Sequence, residues 1–318
     1  MSIIRTLILH PNPCQGSSLA IAQEVLETAN RLTRYHGLPQ RFEVETRPPP
    51  IENPAADLII LPGLGLATEA EFHQVCQSQS FQDLVATLRS AARSPAVVAG
   101  ACSGCFALGK AGLLDERRST CSWWLQPFLQ TQFPKARISA REILLDQGDL
   151  ITAGAAFSQI DLMLHLVERF IGIALAEDCR RFLMADRRQS QLPYVSVSAM
   201  IAADPALQQA ELYVRRHIDQ PLAVADMAAA AGLGERTFAR RLKSRAALTP
   251  IALLQSLRIT EAIRLAQSSQ ITNEEIAHRV GYSDASAFRR LIKKRLGCGL
   301  DSFRPQPSAS EPSDHALG

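Results

Sequence analysis

Two stretches of this chain, about fifty residues apart, repeat one plan, and that repetition constrains the carboxy-terminal third more tightly than any other feature. In NEEIAHRVGYSDASAFRRLIKKRLG (273–297), Ile276, Ala277 and Val280 fall on one side of a first helix. Gly281-Tyr282-Ser283 makes a turn, and a second helix is predicted over Asp284–Arg295. Two helices joined by a short glycine-containing turn outline a helix-turn-helix, whose second helix can lie in the DNA major groove. Thr272 and Glu275 read as a capping box, with Ile271 and Ile276 placed for a hydrophobic staple. Phe288, Leu291 and Ile292 form the apolar stripe of the second helix, and Arg289, Arg290, Lys293, Lys294 and Arg295 its charge. The earlier copy, MAAAAGLGERTFARRLKSR (227–245), matches through Ala228 and Gly232 at an offset of 49 and through Phe238, Arg240, Leu242 and Lys243 at an offset of 50. One residue inserted in the second turn accounts for the change.

Between the copies, Thr249-Pro250 reads as an N-cap followed by proline at the first helical position. A long helix is expected after it, apolar at Leu253, Leu254, Leu257, Ala262, Ile263 and Leu265. About 17 residues at roughly 1.5 Å each would span on the order of 25 Å. Such a rod can hold two reading helices in successive major-groove turns, roughly 34 Å apart on one face of DNA. By position, Arg236, Thr237 and Arg240 on the first reading helix, and Ser286, Arg289 and Arg290 on the second, project toward the groove. Arginine can bond guanine O6 and N7 bidentately, so Arg236, Arg240 and Arg290 are the preferred base readers. Lys243, Lys293 and Lys294 lie later on their helices, where phosphates are the nearer target. For any single arginine a surface ion pair is an equally good reading. Phe238 and Phe288 read as core residues.

Residues 206–306 resemble the DNA-binding domain of the AraC/XylS family of bacterial transcription regulators. The resemblance is carried by AAAAGLGERTFARRLK, TPIALLQSLRITEAIRLA and EEIAHRVGYSDASAFRRLIKKRLG, followed by Phe303-Arg304. Gly234 departs from the family pattern where a helix-capping serine is usual, and Leu300 where proline is usual. The resemblance implies double-stranded promoter DNA and RNA polymerase as partners. Charge points the same way: residues 206–306 carry 16 Lys/Arg against 9 Asp/Glu, and residues 1–205 carry 18 against 20, so a cationic domain is joined to a near-neutral one. No run of ~18 apolar residues is present and no signal-peptide pattern opens the chain, so a cytoplasmic protein with no membrane partner is expected. Seven cysteines, an odd number scattered along the chain, do not read as a disulfide framework, and in the reducing cytosol they are expected as thiols.

The first 185 residues alternate strands and helices. Ile3–His10, Asp57–Pro62 and Ala96–Ala101 are apolar runs suited to buried strands, and shorter strands are placed at Ile143–Leu145 and Leu150–Thr152. Helices are placed at Leu19–Thr33, across Glu69–Arg93 and at Phe157–Leu175, and Glu43–Pro50 reads as a polar connection with room for a strand. This order predicts an α/β domain, its mostly parallel sheet covered by helices on both faces, followed by an all-α carboxy-terminal domain with two helix-turn-helix units. Residues 186–205 are assigned to a linker, because Asp186–Pro193 is polar and contains proline. The Pro/Ser-rich stretch 307–318 is assigned to a disordered tail.

Gly100-Ala101-Cys102-Ser103-Gly104 has the form G-x-C-x-G at a strand-to-helix junction, where glycines leave room beside a nucleophile on a strained turn. Further stretches are DLIILPG, ACSGCFALGKAGLLDERRSTCSWW, GDLITAGAAFSQIDLMLHLVERFIG and Gln191-Leu192-Pro193-Tyr194. On these, residues 1–185 resemble the DJ-1/PfpI branch of the class I glutamine-amidotransferase-like fold, and especially the amino-terminal domains of GlxA-type regulators. In hydrolytic members of that branch a histidine follows a threonine downstream of the cysteine; here Ser119-Thr120-Cys121-Ser122-Trp123 puts Ser122 in its place. Gln15-Gly16-Ser17-Ser18 offers no carboxylate where DJ-1-like proteins carry an acid near the first helix. A cysteine needs a base or a cationic neighbour to become a good nucleophile, and neither stands at the expected position. His10, His73 and His165 could approach in space, but each reads as structural or solvent-facing.

The domain therefore reads as a non-catalytic sensor, with no catalytic residue, cofactor or metal. Gly63, Cys102, Ser103, Ser122 and neighbouring amides are the candidate lining of its pocket. Cys102-x-x-Cys105 formally matches a redox or metal pair, but zinc needs about four ligands and no second pair exists. A reversible redox response at Cys102 is the lesser reading. Asp161 and His165, four apart on one helix, read as a local hydrogen-bonded pair, and Trp123-Trp124 as packing. The leading functional expectation is a sequence-specific transcription regulator, an activator, controlled by a small-molecule effector. The GlxA resemblance implies nitrogen-containing effectors such as amino-acid or quaternary-amine derivatives, and the family implies a homodimer. Two rivals stay open: an amidase, protease or deglycase acting through Cys102 while tethered to DNA, and an architectural DNA protein without sequence preference.

Overall fold

The structure, a computed structural model, describes residues 2–188, 190–202 and 204–305, and it divides into two compact units between Val195 and Ser196. The first unit begins β1 (Ser2–Leu9), α1 (Gly16–Tyr35), β2 (Gln40–Arg47), β3 (Leu58–Leu61), α2 (Glu69–Val75), α3 (Gln79–Ala91), β4 (Val97–Ala101) and α4 (Gly104–Lys110). It continues β5 (Arg118–Thr120), α5 (Gln126–Gln132), β6 (Arg137–Ser139), β7 (Leu144–Asp146), β8 (Leu150–Ala153), α6 (Ser158–Phe170) and α7 (Ile173–Phe182). Six strands form one sheet in the order β2-β1-β3-β4-β8-β7, parallel except where β7 runs against β8 at the edge. The central strands are apolar on both faces because helices cover both, and β3 and β4 are buried at every residue. Alternation then feeds two cores. Ile59, Leu61 and Val98 pack with Phe72, Phe81, Phe106 and Phe128 on one face. Leu58, Ile60, Val97 and Ala99 pack with Val25, Leu26, Leu162 and Leu166 on the other.

The α/β expectation is met, with local differences. Phe157–Leu175 is two helices rather than one, because the chain turns at Gly172, whose φ of +136° only glycine adopts readily. The polar stretch from Glu43 belongs to the edge strand β2, which pairs in parallel with β1 along its whole length. β5 and β6, three residues each, form a separate parallel pair that is too short to show a period. The stretch 186–205 is not a bare linker. Ser190 bridges Glu142 and Gln191 is 2% exposed within the first unit, while Val197 and Ile201 are buried in the second. Residues 307–318, expected as a tail, lie outside the described residues.

The second unit is helical: α8 (Val197–Ile201), α9 (Pro205–Arg216), α10 (Val224–Ala230), α11 (Glu235–Ala246), α12 (Pro250–Ser268), α13 (Asn273–Arg279) and α14 (Ala285–Leu296), then a 3-10 turn at Leu300–Phe303. The duplication is exact in length: α10 and α13 have 7 residues each, and α11 and α14 have 12 each. Both first helices end at a glycine with positive φ, Gly232 at +65° and Gly281 at +79°. Leu233 N–H then bonds Ala228 O, and Tyr282 N–H bonds Ala277 O, both at 2.9 Å, which is the Schellman closure of a helix end. Thr249 caps α12 as expected, accepting from Ala252 N at 3.2 Å. That helix has 19 residues, hence about 28 Å. Thr272 caps α13, accepting from Glu275 N at 3.1 Å, but only half of the expected box is made, since the Glu275 carboxylate pairs with Arg279 at 3.0 Å.

Candidate nucleic-acid interface and thiol elbow

The two reading helices owe their exposure of charge to their apolar spacing. Phe238, Leu242 and Ala246 on α11, and Phe288, Ile292 and Leu296 on α14, recur every four residues and are buried. That leaves Arg236, Arg240, Lys243, Ser286, Arg289, Arg290, Lys293 and Lys294 exposed, with Thr237 half-buried. Arg289 pairs with Glu274 at 3.1 Å, and Arg290 lies 3.9 Å from Asp284. Exposed pairs of this kind are worth about 0–1 kcal/mol, so they give way to a stronger anionic partner. Asp284 caps α14 by accepting from Ser286 N at 2.8 Å and Ala287 N at 3.1 Å. The Ala287 and Ser286 amides hold its carboxyl below the usual range, and Arg290 adds to the effect. At the matching place Gly234 offers α11 no side-chain cap.

Several charged residues of the second unit escaped the sequence reading. Arg241 and Arg245 flank Lys243, with Ser244 between Lys243 and Arg245. Arg241, Ser244 and Arg245, with Arg240, line a groove of about 460 Å³ against Asp204 and Pro205. Arg258 sits between the buried Leu257 and Ile259 of α12 and is 8% exposed. Its Nη2 donates to Gln220 O at 2.6 Å, and the guanidinium lies 5.2 Å from the Tyr282 ring centre. Tyr282 in turn packs on Phe288 at 4.7 Å between ring centres. Arg295 of α14 donates to Gln255 of α12 at 2.8 Å. Arg304 reaches back to Ile271 O at 2.7 Å and Asn273 Oδ1 at 3.0 Å. These contacts tie the second helix-turn-helix to the rod.

In the first unit, β4 runs into Cys102 at φ +55°, a left-handed backbone at a residue with a side chain. Such strain costs about 1–3 kcal/mol and persists where the surroundings over-determine it. Here the Cys102 amide donates to Ala153 O at 3.1 Å and Gly154 O at 2.9 Å. A Cβ on Gly104 would come within 2.7 Å of Pro62 O. Ser122 Oγ donates to Cys102 Sγ at 3.0 Å. The residue at the histidine position therefore touches the thiol, but a hydroxyl is no base near neutral pH.

The four expected lining residues are brought together, but as a closed knot and not an open pocket. Cys102 is 3% exposed, Ser103 and Ser122 are fully buried, and a Cβ on Gly63 would lie 3.3 Å from Cys102 Cβ. The expected amide lining is already paired: Gly63 N donates to Ser18 Oγ at 2.9 Å, and Leu64 N and Gly65 N donate to Ser103 Oγ at 2.9 and 3.1 Å. Ser18 Oγ donates to Gln159 Oε1 at 3.0 Å, and the buried Gln159 Nε2 has no hydrogen-bond partner. Burial pushes the thiols of Cys105 and Cys121 well up, and both donate to carbonyls, Thr120 O at 3.2 Å and Ser122 O at 3.3 Å.

The histidines stand elsewhere. His165 is engaged with Asp146 at 2.7 Å, His73 packs edge-on to Phe128, and His10 is exposed. The expected Asp161–His165 pair is not formed, because Asp161 binds Arg188. Trp124 packs against both cores and meets Trp123 edge-on at 5.1 Å. Among the described residues no group of three His, Cys, Asp or Glu is placed to hold a metal ion, and no helix is long and apolar enough to cross a membrane.

Comparison with known proteins bears on both units. Residues 19–169 match the DJ-1/PfpI family, and residues 227–306 match a helix-turn-helix domain. The chain is 23% identical over 298 residues to the HTH-type transcriptional regulator GbdR of Pseudomonas aeruginosa, an alignment covering 88% of this chain and 78% of that one. It is 28% identical over 218 residues to the HTH-type transcriptional regulator GlxA of Rhizobium meliloti, covering 66% and 67%. It is also 28% identical over 124 residues to an isonitrile hydratase of Pseudomonas putida, covering 39% of this chain and 50% of that enzyme.

Proposed function

We propose that this chain, in which a DJ-1/PfpI-like domain is joined to a helix-turn-helix domain, is a DNA-binding transcriptional regulator, and more finely a sequence-specific activator whose elbow domain senses a small metabolite without turning it over. The observation that carries the DNA part is the duplicated pair α11 and α14, equal in length, with exposed Arg240 and Lys243 matched by exposed Arg290 and Lys293. Arg236, Arg240 and Arg290 read guanine edges, supported by Thr237, Ser286 and Arg289. Lys243, Lys293 and Lys294 neutralise phosphates, and the Arg241–Arg245 groove extends that contact. The protein acts in the cytoplasm as a homodimer on promoter DNA and engages RNA polymerase.

Sensing is assigned to the elbow because Ser122 replaces the base that turnover needs, while Gln159 Nε2 keeps a buried donor in the network next to Cys102. A nitrogen-containing metabolite, drawn from amino-acid or quaternary-amine derivatives, is the expected effector. Footprinting of the full chain across a bacterial genome, with and without such compounds, tests the reading. Protection at discrete promoters that shifts with one compound supports it; uniform protection would favour the architectural rival. The enzyme rival draws on the strained Cys102 backbone and on the likeness to isonitrile hydratase. Turnover of an amide or isonitrile, lost in Cys102→Ala, would establish it.

A further inference from the structure

Gln191, the first residue of the motif Gln191-Leu192-Pro193-Tyr194, makes four side-chain hydrogen bonds beside the elbow. Gln191 is 2% exposed, and its amide occupies space that exists because residue 154 is glycine; a Cβ there would collide with it. Its Oε1 accepts from Ala155 N at 2.8 Å. Its Nε2 faces Thr120 Oγ1 at 3.1 Å, Cys121 O at 3.0 Å and Glu142 O at 3.0 Å. One donor beside the oxygen and three acceptors beside the nitrogen fix which way the amide points.

The same two backbone segments hold the elbow. Gly154 O, one residue before the Ala155 amide, accepts from Cys102 N. Ser122, one residue after the Cys121 carbonyl, donates to Cys102 Sγ. Cys102 and Gln191 thus bond the same pair of loops. Beyond Gln191, the chain is pinned by Gln191 N to Arg141 O at 2.8 Å, Tyr194 N to Gln191 O at 2.9 Å, and Leu192 N to Ser190 Oγ at 3.1 Å. The first unit ends immediately afterwards, at Val195.

We infer that Gln191 is a latch: a change at Cys102 that moves Ser122 or Gly154 loosens Gln191, and so frees the segment that leads into the DNA-binding unit. The physical ground is that the amide is satisfied only while both loops keep their present spacing, and a buried amide that loses its partners has no water to replace them. This inference rests on the sensing role proposed for the elbow, and it names how that role would reach DNA.

The test uses the full chain and needs no known effector. Ser122→Ala, with Cys102→Met as a bulkier alternative, perturbs the elbow; Gln191→Met removes the latch at similar size. Amide hydrogen exchange is read at Gln191, Leu192 and Tyr194, and affinity for promoter DNA is read in parallel. Either elbow variant should speed exchange at those amides about tenfold. Gln191→Met should do the same, and adding Ser122→Ala to it should change neither exchange nor DNA affinity further. Unaltered exchange in both elbow variants, or effects that simply multiply in the double variant, would overturn the latch. A panel of free amino acids and quaternary amines separates the two readings. A compound that shifts DNA affinity equally in wild type and Gln191→Met keeps sensing and refutes the latch. If none shifts the wild type, sensing at the elbow fails, while the exchange cycle still decides the latch.

Discussion

Gly232→Ala and Gly281→Ala form a matched pair that separates backbone strain from packing. Both glycines close the first helix of a helix-turn-helix, 49 residues apart, at φ +65° and +79°. Alanine in the left-handed region costs about 1–2 kcal/mol, so Gly232→Ala, with nothing within 4 Å of the added Cβ, should lose about that much. At Gly281 the added carbon would also meet the Arg258 guanidinium and lie 2.7 Å from Ile218 O, a backbone atom that cannot swing away. Overpacking of that kind adds about 1–3 kcal/mol, giving roughly 2–5 kcal/mol in all. The two units need not unfold together, so a single denaturation midpoint is a poor measure. Native-state hydrogen exchange at the core amides of Phe238 and Phe288 reports the second unit directly. Losses equal within error, or a milder loss at Gly281, would refute the claim that Arg258 and Ile218 brace the second turn.

Other outcomes follow from individual contacts. Ala247 ends α11 at φ +53° where its counterpart after α14 is Gly297, so Ala247→Gly should raise the stability of the second unit by about 1 kcal/mol in the same exchange measurement. Arg290→Ala should weaken specific DNA binding by about 1–3 kcal/mol and nonspecific binding much less, whereas Lys243→Ala should weaken both alike and lower the salt slope; titrations by fluorescence anisotropy distinguish them. The Asp284 carboxyl is depressed on folding, so its cap is fully present above the unfolded value near pH ~4 and is lost as pH falls through the lower folded value. Helicity of α14 followed by exchange from neutral to acid pH should show this loss, and Asp284→Asn, which caps without titrating, should remove it. Cys102→Ala, which removes the acceptor of the Ser122 hydroxyl, should shift the affinity of the full chain for promoter DNA in the same direction as Ser122→Ala, and an opposite shift would refute the elbow's coupling to DNA.

Much of the fold could be read along the chain because its signals are local. Apolar runs such as DLIILP mark strands buried on both faces. The four-residue spacing of Phe238, Leu242 and Ala246 marks a helix with a basic outer side, and Gly232 and Gly281 mark turns that need positive φ. The break at Gly172 is not legible because a helical period continues through it, and β5 and β6 are not legible because three residues carry no period. The elbow was visible as a motif, and even the serine that replaces the base could be named from its position.

What the sequence determined by itself is therefore the inventory: an α/β domain with a thiol elbow and a doubled helix-turn-helix with its charged face. Only the tertiary structure decided that the elbow is closed, with Ser122 on the thiol and the Gly63–Gly65 amides already bonded to side chains. It likewise decided that Arg258 braces the second turn and that Gln191 belongs to the elbow and not to a linker. The physical reason is common to all three. A buried polar group finds its partner by position in space, across separations of 38 residues for Arg258 to Gln220 and 71 for Gln191 to Thr120, and no local pattern in the chain records such a pairing.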